Sequence, residues 1–207
     1  MKPILVATSS SGKLRDFAGA AQVLGLQVAP LPGFSGLHEV VEDGDTFEAN
    51  VRKKAEAYSR HAPGELVIAD DSGLAVDTLD GAPGIHSARY ASTDPAANAS
   101  DEANNAKLVR ELAAHRDRSA RFICVIAAAR DGKVLGTFTG EARGQILDTP
   151  RGAHGFGYDP LFYVPEANQT FAEMTADEKA RYSHRGAAFR KFLDWYSQQA
   201  EHDKPDE

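Results

Sequence analysis

Arg121-Phe122-Ile123-Cys124-Val125-Ile126-Ala127-Ala128-Ala129, then Asp131-Gly132-Lys133, then Val134 through Ile146, is the stretch that decides the fold. Two apolar runs around an Asp-Gly turn make a hairpin of antiparallel strands. The chain around this hairpin alternates strand with helix. Residues 3–8 read as a buried strand, residues 9–12 as a polar turn, and Leu14, Phe17, Ala18, Ala21 and Leu24 follow helical spacing from Lys13. A strand near 26–31 leads into a Pro/Gly loop. Thr46 then N-caps a helix with Phe47, Val51, Ala55 and Tyr58 on one face. Leu66 to Ala69 reads as a short buried strand ending in Asp70-Asp71-Ser72-Gly73. A helix is expected from about Asn98 to His115, and the last one from near Ser183. This alternation, broken by one long hairpin, predicts an α/β fold with a mixed sheet.

Composition narrows the class. The chain has 207 residues, an ordinary globular balance of apolar and charged residues, and a net charge of −7. That charge argues against a broad nucleic-acid-binding face, yet leaves room for a local pocket that holds a small anion. No apolar run approaches the roughly 20 residues of a membrane span. The single cysteine, Cys124, sits among apolar neighbours and reads as a core residue in a reducing compartment, expected to be the cytoplasm. The histidines are scattered without His-Glu-x-x-His, and no Gly-x-Ser-x-Gly elbow occurs, so zinc hydrolase and serine hydrolase readings fail.

Four segments carry candidate chemistry. Thr8-Ser9-Ser10-Ser11-Gly12-Lys13 joins a strand to a helix N-terminus through small residues. Backbone N–H groups can approach a phosphate there and the helix dipole favours negative charge. It is not a Walker A loop, because Ala7 and Leu14 occupy the places that need Gly and Ser/Thr; the plain alternative is a βα turn with a solvated lysine. Asp70-Asp71 supplies paired acids at a strand end, where open α/β sheets bind ligands. Neighbouring side chains on a strand point opposite ways, so one acid is expected to face a cleft and the other to support the loop. Hard oxygen donors of this kind, with Glu42 as a second carboxylate, suit Mg²⁺ on phosphates. Thr46, Asn50 and Lys54 share one helix face. Gly155-Phe156-Gly157-Tyr158-Asp159-Pro160 reads as a shaped loop with a ring able to stack on a base. Finally, Glu178-Lys179 and Ser183-His184-Arg185-Gly186 set cations beside a helix start, a mild cost that an anionic ligand relieves.

In this order, the segments resemble the inosine triphosphate pyrophosphatase family, from about Ile4 to Trp195. The match is strongest at Ala69 to Leu74, Gly81 to Ile85, Ser87 to Tyr90, Gly155 to Pro160 and Ser183 to Gly186. The resemblance implies an α/β protein with a mixed, strongly twisted central sheet, flanking helices, and two lobes around a nucleotide cleft. It implies a homodimer that hydrolyses ITP, dITP and XTP to the monophosphate and pyrophosphate, with residues 1–200 as one domain and 201–207 as a polar tail. Carried over by position, Thr8, Ser9, Ser10, Ser11, Gly12 and Lys13 hold the triphosphate. Glu42 and Asp71 bind Mg²⁺, and Asp71 is also the catalytic base. Ser72 touches substrate, and Asn50 and Lys54 line the phosphate region. Phe156, Gly157, Tyr158 and Asp159 line the base and sugar site with Lys179, His184 and Arg185. Three positions depart from the family pattern. Ser10 stands where asparagine is usual, Ala49 stands at an acidic place with Glu48 one residue earlier, and His86 replaces a frequent tyrosine. A pyrophosphatase for another nucleotide, or a nucleotide-binding regulator without catalysis, are the competing readings.

Overall fold

The structure is a computed structural model that describes residues 3–22 and 25–202. Its strands are β1 (Ile4–Val6), β2 (Val28–Pro30), β3 (Val67–Val76), β4 (Ser119–Arg130), β5 (Lys133–Ile146), β6 (Phe162–Val164) and β7 (Gln169–Thr170). Its helices are α1 (Ser11–Gln22), α2 (Phe47–Ser59), α3 (Asp101–Leu112), α4 (Ala176–Tyr182) and α5 (His184–His202). The strands form one mixed sheet in the order β2-β1-β3-β4-β5-β6-β7. β1 runs parallel to β2 and β3, and every later pair is antiparallel.

The hairpin is the spine. β3 pairs with β4 from Val67↔Ala129 to Val76↔Ala120, and β4 pairs with β5 over its whole length. This pairing overturns the expectation that the first of these strands ends at Asp70. Asp and Gly are poor strand formers, but a continuous ladder and burial on both faces outweigh that local preference. The acid pair therefore sits inside a central strand.

β1 is short and matches β3 only at Leu5↔Val67 and Val6↔Ile68. Beyond that point β3 has one edge without a strand neighbour. Unpaired backbone groups at a buried edge must find other partners. Here Ala7 N–H reaches Ile68 C=O at 2.8 Å, and Lys54 Nζ reaches Asp70 C=O at 2.8 Å. Asp71 Oδ1 accepts from Ser72 N–H at 3.0 Å, and Ser87 Oγ accepts from Leu74 N–H at 2.9 Å. Residues at this open edge, Ala7, Thr8 and Asp71 to Gly73, line the cavity described below.

The two faces of the sheet are filled separately. Ile68, Cys124 and Ile126 pack with Phe17 of α1 and Phe189 and Phe192 of α5. Val67, Ala69, Val125 and Ala127 pack with Val51, Ala55 and Tyr58 of α2. A third cluster, with Phe122, Phe162, Phe171 and Leu108, fills the far half of the molecule. α4 and the β6–β7 pair escaped the sequence reading. Seven residues are too few to show periodicity, but Thr175-Ala-Asp-Glu178 closes a full capping box that marks the start of α4. Residues 201–202 continue α5, and the rest of the expected tail, 203–207, lies outside the described residues. No described helix is long and apolar enough to cross a membrane.

Candidate active site

A cavity of about 1240 Å³ opens between the β1–α1 turn, the 34–43 loop, β3 and the start of α5. Thr8, Ser9, Ser10 and Lys13 line one end. Thr8 Oγ1 accepts from Ser10 N–H at 3.1 Å, and Ser10 Oγ accepts from Lys13 N–H at 3.3 Å. The second bond is the one an N-cap makes, so serine fulfils locally what asparagine would at the same place. Ser11 and Gly12 do not line the cavity. Gly12 instead lies flat against Phe156, and a Cβ there would enter the ring.

The acidic centre lies beside this turn. Asp71 projects into the cavity from β3, buried, with Oδ2 lacking any hydrogen-bond partner. Burial raises its pKa, Lys54 opposes the shift, and Glu42 adds to it. Glu42 faces it from the 34–43 loop, paired with Lys54 Nζ at 2.9 Å. Burial disfavours the charge on Lys54, yet Glu42, Asp70 and Asp71 together raise its pKa, so it is a fixed cation. Asn50 is not at the cavity. Its Oδ1 accepts from Gly44 N–H at 2.8 Å and it is buried, so it holds the loop that carries Glu42. Glu48 faces away, bonded to Arg52 and Thr137, so it does not replace the carboxylate missing at Ala49. Among the described residues no group of three or more His, Cys, Asp or Glu side chains is arranged to hold a metal ion.

The other end is cationic. Lys179, His184 and Arg185 line it, all buried. Arg185 donates to Asp16 at 2.8 Å, to Ser72 Oγ at 2.8 Å, and to Asp70 at 3.2 and 3.4 Å. Lys179 lies 2.7 Å from Asp159 and 3.2 Å from Asp16. Lys13 lies 3.0 Å from Asp70. Lys13–Asp70–Arg185–Asp16–Lys179–Asp159 is thus one unbroken chain of alternating charge, three cations and three anions by these pairs. Alternation lets the groups be buried without a net uncompensated charge. Burial opposes the charge on Asp70, but Lys13, Arg185 and Lys54 hold its carboxyl far below the usual range. His184 stacks on Phe122 at 4.6 Å. Burial, then Arg185 and Lys179, keep it neutral.

The acid pair divides the work differently from the sequence expectation. Asp71 faces the cleft, but Asp70 holds Lys13 and Arg185 on the opposite face of β3 rather than supporting a loop. In the 155–159 loop, Asp159 Oδ2 accepts from Phe156 N–H at 3.0 Å. Gly157 is fixed through both its N–H, to Asp101, and its C=O, from Asn105. Phe156 lines the cavity with Lys179 Nζ 5.0 Å from its ring centre. Tyr158 is mostly core; its hydroxyl donates to Ser87 C=O at 2.7 Å.

Two residues of this site were missed from the sequence. Asp16 stands one helical turn after Lys13, a spacing that puts both on one face. Ser87 secures β3 where Gly73 lets the backbone of Gly84 come close.

A sequence profile of the Ham1 family matches residues 4–195. The chain belongs to the Ham1 family. A relative from Acidobacterium capsulatum, named dITP/XTP pyrophosphatase, is 47% identical over 194 residues, covering 92% of this chain and 96% of its own. Another of that name, from Syntrophobacter fumaroxidans, is 49% identical, covering 89% of this chain and 78% of its own. Among solved Ham1 structures, the Staphylococcus aureus protein superposes with a TM-score of 0.79 at 38% identity, covering 96% of this chain and all of that one. The Coxiella burnetii protein gives 0.80 at 37% identity with the same coverage. The Ham1 match and the two structures support the mixed α/β architecture expected from the hairpin.

Proposed function

We propose that this Ham1 protein hydrolyses the deaminated purine nucleoside triphosphates ITP, dITP and XTP to the monophosphate and pyrophosphate, and so clears them from the nucleotide pool. The observation that carries the reading is Asp71, a buried carboxylate with one unpartnered oxygen, between a serine-lined phosphate turn and a cationic end. The names of the relatives point the same way.

Asp71 and Glu42 are hard oxygen donors at one place, and the orphaned Oδ2 of Asp71 fits a cation that completes its shell with phosphate oxygens and water. These two residues would hold Mg²⁺, which when bound neutralises phosphate charge and favours ionised oxygen at neutral pH. Asp71 orients the attacking water and accepts its proton. Lys13 and Lys54 neutralise the triphosphate, and the serine turn offers backbone N–H groups at the start of α1. At the far end, Phe156 offers a ring to the base. Of the five N–H groups of Arg185, four have partners, which leaves one on Nη1 for a 6-oxo group. An adenine amino group there would leave that buried donor unpaired. A homodimer belongs to the same proposal, checked by sedimentation.

The test is product analysis of ITP turnover with and without Mg²⁺. IMP with pyrophosphate, formed only with the metal, is expected. IDP with orthophosphate would contradict the reading.

A further inference from the structure

Asp70 does not line the cavity, yet one of its oxygens touches the residues at both ends. Oδ2 takes Lys13 Nζ at 3.0 Å and Arg185 Nη2 and Nε at 3.2 and 3.4 Å, whereas Oδ1 is buried with no partner. Three charged donors thus crowd one oxygen while its twin is idle. Charge-assisted N–H···O bonds settle near 2.7–2.9 Å. Arg185 reaches that length with Asp16, at 2.8 Å, but not with Asp70. Asp16 on Nη1 and Ser72 Oγ on Nη2, each at 2.8 Å, hold the guanidinium at full strength, and the contacts with Asp70 are the long ones. Lys13, the outer member of the trio, is 20% exposed and is the one free to leave.

We infer that Asp70 is a positioning residue that couples the two ends of the cavity: when Lys13 is drawn to a polyphosphate, Asp70 turns its carboxylate fully onto Arg185 and so raises affinity for the base. The inference rests on the proposed reading, in which Lys13 takes phosphate and Arg185 takes the base. Freed of the ammonium, the carboxylate can meet the guanidinium edge with both oxygens, the bidentate geometry that fixes an arginine best. The coupling must be reciprocal, so the base raises affinity for the polyphosphate by the same factor. A mononucleotide or free nucleoside, lacking the polyphosphate, meets an arginine that shares Asp70 with Lys13. The device would let the site read the base strictly only when a triphosphate is present.

Calorimetric titration of inosine, with and without saturating pyrophosphate at fixed magnesium, tests this. The wild type should bind inosine about fivefold more tightly with pyrophosphate, at the low end of known couplings. Lys13→Met should bind inosine at that raised affinity without pyrophosphate, because Asp70 no longer shares its oxygen. Asp70→Asn, nearly isosteric and checked for folding by thermal melting, should show the unraised affinity in both conditions. Equal inosine affinity of Lys13→Met and the free wild type would overturn the coupling, as would synergy that survives in Asp70→Asn. Should Asp70→Asn fail to fold, the Lys13→Met comparison decides alone. Failure of the protein to hydrolyse ITP would instead remove the functional reading; ITP hydrolysis without synergy removes only the coupling.

Discussion

Asp71 and Cys124 are both buried titratable groups, and their surroundings assign them opposite uses. Asp71 opens on the cavity with an unpartnered oxygen, whereas Cys124 is enclosed in the core, where burial pushes its thiol up to about 12. Asp71→Asn should lower kcat for ITP by far more than tenfold, a barrier rise well above about 1.4 kcal/mol. The same variant, melted without divalent cation at pH 7, should be as stable as the wild type or more so. The sign follows from the raised pKa of Asp71: the folded state holds its proton more tightly than the unfolded chain, so ionisation costs folding stability as pH rises. Asparagine carries no charge and escapes that cost. Cys124, kept as the thiol, should resist iodoacetamide at pH 8 until the protein is unfolded, and rapid alkylation of the native protein would contradict its placement. Cys124 was legible as a core residue from its neighbours alone. The role of Asp70 was not, because its partners Lys13 and Arg185 come from helices far away in the chain.

Elements position these residues, and α2 and α4 show how. α2 begins at Thr46, whose hydroxyl accepts from Ala49 N–H, and presents Lys54 to the cavity and Asn50 to the Gly44 backbone. Asn50→Ala would leave Gly44 N–H without its acceptor, at a cost of about 1–3 kcal/mol. It should loosen the segment bearing Glu42, so the magnesium concentration needed for half-maximal activity should rise while Lys54 keeps its place on α2. An unchanged magnesium requirement would show that Asn50 does not act through that loop. Thr175→Ala removes the capping box of α4 and should cost about 1 kcal/mol, read as a lower Tm. The hairpin and the longer helices were legible because their apolar period persists over many residues. The true extent of β3 was not, because its second half owes its strand geometry to β4 and to side chains that seal its open edge. Such partners are distant in sequence, and local propensity argues against them.

At the scale of the whole molecule, β3 carries one acid of the site on each of its faces. The face of β3 toward α2 carries Asp71 with Lys54 and Glu42 above it, while the face toward α1 and α5 carries Asp70 with Lys13 and Arg185. In the proposed function, hydrolysis and base choice fall on opposite sides of this single strand. Most of the residues named from the family resemblance line one cavity, a placement the sequence could suggest because the motifs occur in family order. Ser11, Gly12 and Asn50, named from that resemblance, lie off the cavity, since neighbours in sequence share a motif without sharing a direction. The claim that unites both faces is selection of a 6-oxo purine by a triphosphate-cleaving site. Its most direct measurement is kcat/KM for ITP and XTP beside ATP, by pyrophosphate release. The account predicts a preference of at least about a hundredfold for ITP and XTP, since a site that hydrogen-bonds a substrate group can reject the analogue lacking it by up to roughly 10⁴–10⁵. ATP hydrolysed as efficiently as ITP would contradict it.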